Sequence, residues 1–299
     1  MAIFGTRLER RRSIWASRVC HLHQSGHAQL DQIWIEYNGP LTMEPDPAAC
    51  LNSLTSHLLS TGASEEVHLS MIPLEHASSI LTMPYSRILQ RVTGWQRDLQ
   101  LIRDNGGTVL SAFSSNTRQQ IKRSLQRYVE LHGKQCLVEA KDKFEAVSWL
   151  EQAAHWHQDR WPDSGFSNEE FVLFHRKLIL RTFSEGGTRI FRVTFGDHTI
   201  GYFYFLTDGM RVYFYLQAIE PPVHKHLKPG LVGHAMLMQH FLDEGAQCYD
   251  FMGGDSQYKR QLADKASEFV VVRVHNGALK YRVEDWIRRL RDAARSVFP

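Results

Sequence analysis

The sequence predicts an α/β fold of mixed, mostly antiparallel sheets flanked by helices and divided into two halves. Three observations carry that expectation. A chain of 299 residues is long enough for two domains or one large one. The runs RIFRVTF, HTIGYFYFLT and MRVYFYLQAI are rich in aromatic and β-branched residues. Gly196-Asp197 and Asp208-Gly209 separate them as two-residue hairpin turns, so they predict a three-stranded antiparallel meander. Strand-like runs also alternate with apolar-periodic helices on both sides of the meander, which is the pattern of an α/β layer.

Taken in order, the N-terminus MAIFGTRLERRRSIWASRVC has cations but no following apolar core or small-residue cleavage site, so secretion is not expected. Its basic run from Arg7 to Arg12 reads as a solvated terminal helix, or as a surface for membrane or RNA. IWIEY predicts a strand, EPDP a turn, Ala48 to Leu59 a helix and EVHLSMI a second strand. Ile80 to Leu110 is ambiguous. In SSNTRQQIKRSLQRYVELHGK, Ser115 or Asn116 can cap a helix, Ile121, Leu125 and Val129 recur at i+4, and Gly133 stops it. That helix, Thr117 to His132, carries Arg118, Lys122, Arg123 and Arg127 on its other faces. These are either a solvated cationic face or the wall of an anion site.

The helix VSWLEQAAHWHQDRW places Trp149, Trp156 and Trp161 at core-like spacing. After the meander, LVGHAMLMQHFLDEG predicts a helix ended by Gly245, and CYDF a short buried strand. EFVVVRVHNGALKY then reads as a hairpin across Asn276-Gly277, and Val283 to Val297 as a closing amphipathic helix.

Composition narrows the function. With 43% hydrophobic and 22% charged residues and a formal charge of +3, the chain reads as globular, without the excess charge that by itself implies a nucleic-acid partner. Cys20, Cys50, Cys136 and Cys248 lie far apart and without a CxxC pair, so they read as free thiols in a reducing compartment, with the cytoplasm as the expected location. No window reaches the roughly 18 apolar residues of a membrane span. Among sixteen histidines, His155 and His157 at i,i+2 face apart on a helix, and His224 and His226 lack a third ligand nearby, so no metal is expected. The nucleophile elbow GxSxG and the phosphate loop GxxxxGK[ST] are both absent.

Two stretches carry chemistry. KPGLVG, Lys228 to Gly233, begins a helix whose first N–H groups and dipole can receive a pyrophosphate. Pro229 has no N–H to lose, and Gly230 and Gly233 let backbone approach a ligand. YDFMGGDSQYKRQLAD, Tyr249 to Asp264, begins as a buried strand and then gathers an acid, a phenol and two cations, more chemistry than a turn requires.

The order of meander, glycine-containing loop, helix, strand and charged loop resembles the second half of the GNAT acyltransferase fold. More narrowly, KPGLVG, YDFMGGDSQYKRQLA and SSNTRQQIKRSL are similar to the GNAT-related family named after the CelD cellulose-biosynthesis protein, with Lys228 where that family more often has serine. Fem-type aminoacyltransferases share the doubled architecture and a lysine comparable to Lys259. The resemblance implies two GNAT-like halves, the first degenerate: residues 1–113, a basic connecting helix 114–134, and an acyltransferase domain 135–299.

It also implies an acyl-CoA donor and no metal cofactor. The backbone of Leu216, Gln217 and Ala218 would bind the pantetheine arm, and Lys228, Gly230, Leu231, Val232 and Gly233 the phosphates. Asp255 would act as general base or as a helix cap, a role Ser256 can also fill. Lys259 would hold an anionic acceptor, balance phosphate charge or polarise the carbonyl, and Tyr258 would be a general acid or a core aromatic. Arg118, Lys122, Trp161 and Arg260 would contact the acceptor, an amine or a sugar hydroxyl, and Trp156, Trp161 or Arg160 on the helix bordering the acceptor groove would shape its choice, whereas Asp250 anchors a loop amide. The expected activity is acyl transfer by direct attack in a ternary complex. An aminoacyl-tRNA donor bound by the cationic residues is the alternative, and a non-catalytic scaffold a second one.

Overall fold

The computed structural model describes residues 1–11, 15–43, 45–160, 164–221, 224 and 226–297. In chain order the elements are β1 (Phe4–Arg11), β2 (Trp15–Leu22), α1 (Ala28–Asp31), α2 (Pro47–Ser60), β3 (Glu66–Pro73), α3 (Ser78–Leu81), β4 (Ser86–Asp98) and α4 (Leu99–Asp104). There follow α5 (Ser115–His132), β5 (Gln135–Glu139), α6 (Lys143–Arg160), α7 (Glu169–Thr182), β6 (Thr188–Phe195), β7 (His198–Thr207) and β8 (Arg211–Ile219). The chain ends with α8 (Pro229–Asp243), β9 (Cys248–Gly253), α9 (Gln257–Leu262), β10 (Lys265–His275) and α10 (Leu279–Val297). It divides into two units, residues 1–92 with 268–299, and residues 93–267. Among the described residues no helix is long and apolar enough to cross a membrane.

In the first unit the strands lie in the order β1-β2-β3-β10, over a core of Leu22, Leu51, Val67, Leu69, Ile72, Val270, Val272 and Val274. The basic run is a strand as far as Arg11, not the expected terminal helix; Arg12 lies outside the described residues. β1 pairs antiparallel with β2 from Phe4↔Leu22 to Arg11↔Trp15, and Arg7 and Glu9 are half-buried between exposed Thr6, Leu8 and Arg10. This period of two satisfies the backbone through pairing. The expected strand at IWIEY does not form, because Trp34 and Tyr37 take positive φ of 47° and 53°, outside the extended region. Tyr37 instead sets its ring edge-on to Phe269 at 4.6 Å.

The expected hairpin at Asn276-Gly277 is also corrected. Gly277 has φ +75°, Asn276 Oδ1 accepts the Ala278 N–H at 3.1 Å, and the chain enters α10. Asp285 on that helix bonds Arg273 at 2.9 Å and His275 at 3.2 Å on β10, which fixes the helix back against the strand.

The second unit holds the order β4-β9-β8-β7-β6-β5. The meander β6-β7-β8 is antiparallel throughout, as its turn residues predict. One face packs α5 and α8 through Ile121, Tyr128, Val232, Leu237, Met238 and Phe241. The other packs α6 and α7 through Ala146, Trp149, Leu150, Phe171 and Ile179. The ambiguous stretch resolves into β4 and α4, with Asp98 capping the helix through the Leu101 N–H at 2.8 Å. α5 begins two residues earlier than expected, because Ser114 rather than Ser115 or Asn116 is the cap and accepts the Thr117 N–H at 3.2 Å.

Candidate functional site

β8 and β9 run parallel but pair only at Arg211↔Cys248, Val212↔Tyr249 and Tyr213↔Asp250. β8 then continues to Ile219, still paired on its far edge with β7 up to Gly201, while β9 leaves. Asp250, fully buried, causes the departure. Its Oδ1 accepts the Met252 N–H at 2.7 Å and its Oδ2 accepts Arg211 Nη1 at 2.9 Å, so the strand curls just past the last pair. Met252 at φ +58° and Gly254 at φ +97° complete the swing, with Met252 in a conformation that needs such support. β8 carries a bulge at the same level: Tyr204 opposes Leu216 and Phe205 opposes Phe214, so Tyr215 is the extra residue. The Tyr215 hydroxyl bonds His175 Nε2 at 3.0 Å, and Tyr204 meets the other ring nitrogen at 3.3 Å.

A cavity of about 540 Å³ opens where the strands part. Gln217, Ala218 and Ile219 of β8 line it, together with Leu227 to Leu231, Ser256, Gln257, Tyr258 and Gln261 around α9, Gln120 of α5, and Trp156 and His157 of α6. The start of α8 faces this space. Lys228 N–H is taken by Ser124 Oγ at 2.8 Å, Pro229 has none, and the first helical bond runs from Val232 N–H to Lys228 O at 3.0 Å. Gly230 and Leu231 therefore present their amides ahead of the helical ladder, and no side chain caps this end.

Of the residues singled out from sequence, Trp156, Gln217, Ala218, Lys228, Pro229, Gly230, Leu231, Ser256 and Tyr258 line this cavity. Leu216 sits on the same strand with its side chain in the opposite core. Val232 and Gly233 are buried in the helix seam. A Cβ on Gly233 would lie 2.2 Å from Phe203 Cζ, so this glycine serves close packing of α8 on β7 and not approach to a ligand. Asp255, expected as a base or cap, is exposed and bonds the Arg260 guanidinium. Neither Asp255 nor Ser256 caps α9 with its side chain.

Lys259 Nζ donates to Gly253 O at 2.6 Å and so ties the end of β9 to α9. Arg118 and Lys122 border a separate hollow of about 320 Å³ along α5. Trp161 lies outside the described residues.

Tyr258 stacks on His234 with ring centroids 5.3 Å apart, and burial pushes its phenol well above the ordinary range. His234 is fully buried, bonds the Tyr249 hydroxyl through Nδ1 at 2.7 Å, and is held down to about 3 by burial and then by the charge of Lys259.

Sequence reasoning tested His157 only as a metal ligand and so missed it as a wall of the cavity. Its Nδ1 lies 2.7 Å from Ser164 Oγ, which also accepts the Phe166 N–H at 3.1 Å. Gln120, Ile219, Gln257 and Gln261 gave no signal in the sequence. Arg97, in the stretch left unassigned, donates to Leu262 O at 2.7 Å and Ala263 O at 3.1 Å, holding the C-terminal end of α9 and with it the Tyr258 wall. Glu139, His240 and Glu244 could meet around an ion, but Arg189 bonds both carboxylates there and supplies the positive charge.

Residues 115–260, which lie within the second unit, match the family model for the acetyltransferase (GNAT) domain. Among solved structures, FemX aligns with a TM-score of 0.53 at 10% identity, covering 89% of this chain and 88% of that one. L-PGS from Bacillus licheniformis aligns at 0.55 and 11%, covering 91% and 82%. The C-terminal domain of a protein named as a lysylphosphatidylglycerol synthetase, from Agrobacterium fabrum, aligns at 0.55 and 13%, covering 98% and 84%. At such identities these likenesses establish a common GNAT-like fold. A search of curated proteins returns no match.

Proposed function

We propose that this protein is an N-acyltransferase of the CelD-like GNAT type, which moves an acyl group from acyl-CoA to an amine in a ternary complex. The observation that carries the reading is the parting of β8 and β9 after Tyr213↔Asp250, with the open end of α8 at its rim. A diphosphate would accept hydrogen bonds from the Gly230 and Leu231 amides, favoured by the helix dipole and Lys228. The pantetheine arm would lie along Leu216, Gln217 and Ala218 as an added strand, since this edge of β8 has lost its β9 partner.

The amine nitrogen attacks the thioester carbonyl carbon, forming the new C–N bond, and the C–S bond breaks as the tetrahedral intermediate collapses. One proton leaves the nitrogen and one arrives on the thiolate. Exposed Asp255, bonded to Arg260, is a poor base for a water-excluded step. His157, in the cavity wall itself, is the better-placed acceptor. Tyr258, kept protonated by burial, supplies the proton to sulfur. Lys259 shapes the mouth through Gly253.

The test is thiol release from acetyl-CoA against a panel of amines and sugars. Tyr258→Phe and His157→Gln should each lower kcat by about a hundredfold with coenzyme A binding retained. Turnover unchanged in both variants would contradict the assignment.

A second reading, transfer from an aminoacyl-tRNA, draws on the exposed cations of α5. It predicts RNA retained on the purified protein, bound with a steep salt dependence, and no affinity for coenzyme A.

A further inference from the structure

Nothing in the transfer step uses Arg123 and Arg127, yet they lie on the helix that borders the open end of α8. Gln120, Arg123, Ser124 and Arg127 follow i, i+3, i+4 and i+7 spacing and so form one stripe along α5. Gln120 lines the main cavity. Ser124 accepts the Lys228 N–H at 2.8 Å and fixes the start of α8 against the middle of the stripe. Arg123 and Arg127 then line a second hollow of about 370 Å³ with Gln126, Glu130, His224 and His226. From Gln120 to Arg127 the helix advances about 10 Å at 1.5 Å per residue, enough to carry a nucleotide from its diphosphate to a ribose phosphate.

Charge in this hollow suits an anion. Arg127 meets Glu130 at 3.3 Å, and Gln126 donates to the same carboxylate at 3.0 Å, so the one acid here is already engaged. The Arg123 side chain is exposed and makes no hydrogen bond or ion pair among the described residues. A terminal phosphomonoester, close to doubly charged at neutral pH, matches the fork of a guanidinium better than water does.

We infer that the nucleotide end of the donor lies along α5, with the ribose 3′-phosphate of coenzyme A received by Arg123 and Arg127. This rests on the acyl-CoA reading above, and goes beyond it by assigning a site for the phosphate that distinguishes coenzyme A from its 3′-dephospho form.

Competition calorimetry with coenzyme A, 3′-dephospho-coenzyme A and 4′-phosphopantetheine tests it on the whole chain and on an Arg123→Ala/Arg127→Ala variant, with circular dichroism to check that these surface changes leave the fold intact. The unaltered protein should bind coenzyme A at least about tenfold more tightly than the dephospho form. The double variant should lose that difference, and its KM for the donor should rise far more than its kcat falls. Equal binding of the two nucleotides by the unaltered protein, or a preference that survives in the variant, overturns the inference while leaving acyl-CoA as donor. Binding of neither nucleotide, with RNA retained instead, overturns the donor reading as well.

Discussion

Gly230 and Gly233, three positions apart on α8, look interchangeable in KPGLVG but do different work. A Cβ at Gly233 would press on Phe203 at 2.2 Å, whereas at Gly230 the nearest atoms, on Ile219 and Gln217, lie at 3.5 and 3.6 Å. Gly233→Ala should therefore cost on the order of 1–3 kcal/mol through overpacking, and Gly230→Ala should leave stability nearly unchanged while altering the wall of the cavity. Urea denaturation of the two variants checks this, and equal losses would contradict it. The sequence made the residue types of this site legible, because a Pro-Gly before an apolar-periodic helix is a local signal. It did not reveal which glycine faces the cavity, since that depends on where β7 lies beneath the helix. For the same reason Asp255 looked like a base: its proximity to the strand end is written in the sequence, but its exposure and its bond to Arg260 are not.

At the scale of elements, the site depends on how β9 ends. Asp250 makes two bonds inside the sheet, to the Met252 amide and to Arg211, and these keep the strand from continuing beside β8. Asp250→Ala should lose on the order of 2–3 kcal/mol, moderated because Arg211 retains solvent contact, and should weaken donor binding disproportionately as the wedge loses its fixed edge. Thermal melting compared with coenzyme A affinity reads both, and a variant that melts lower yet binds the donor as before would contradict the coupling.

The anchoring role of Asp250 was readable, as a lone acid in an apolar strand needs a buried partner. The meander and α8 were equally legible, since hydrophobic periodicity and two-residue turns are local. The hairpin expected after β10 was not, because Asn-Gly makes a tight turn whether a strand or a helix follows, and only Asp285 meeting Arg273 and His275 decides for α10. IWIEY failed on its own backbone: positive φ at Trp34 and Tyr37 is not encoded in the residue types.

For the whole molecule, several buried histidines tie stability to pH. Burial holds His175 and His234 down to about 3, from an ordinary 6.5, and His21 and His275 are shifted in the same direction, first by burial. Between pH 6.5 and 3 the unfolded chain binds protons that the folded chain refuses, so stability is full above pH 6.5 and is lost as pH falls toward 3. Each of the two deeply shifted groups sets a slope of up to about 1.4 kcal/mol per pH unit. Chemical denaturation at pH 5 should then give a stability lower than at pH 7 by roughly 2 kcal/mol for each of them, and a flat profile across this range would contradict their burial as neutral rings. The fold class was predictable because two successive α/β patterns run along the chain. The division of residues between the two units was not, because β10 and α10 join the first unit from the far end of the sequence.

The most direct measurement is the structure of the protein with coenzyme A bound. The account predicts the diphosphate on the Gly230 and Leu231 amides, the arm paired with the backbone of Leu216 to Ala218, and the sulfur close to Tyr258. Coenzyme A bound elsewhere, or a gap between β8 and β9 still empty at saturating concentration, would contradict it.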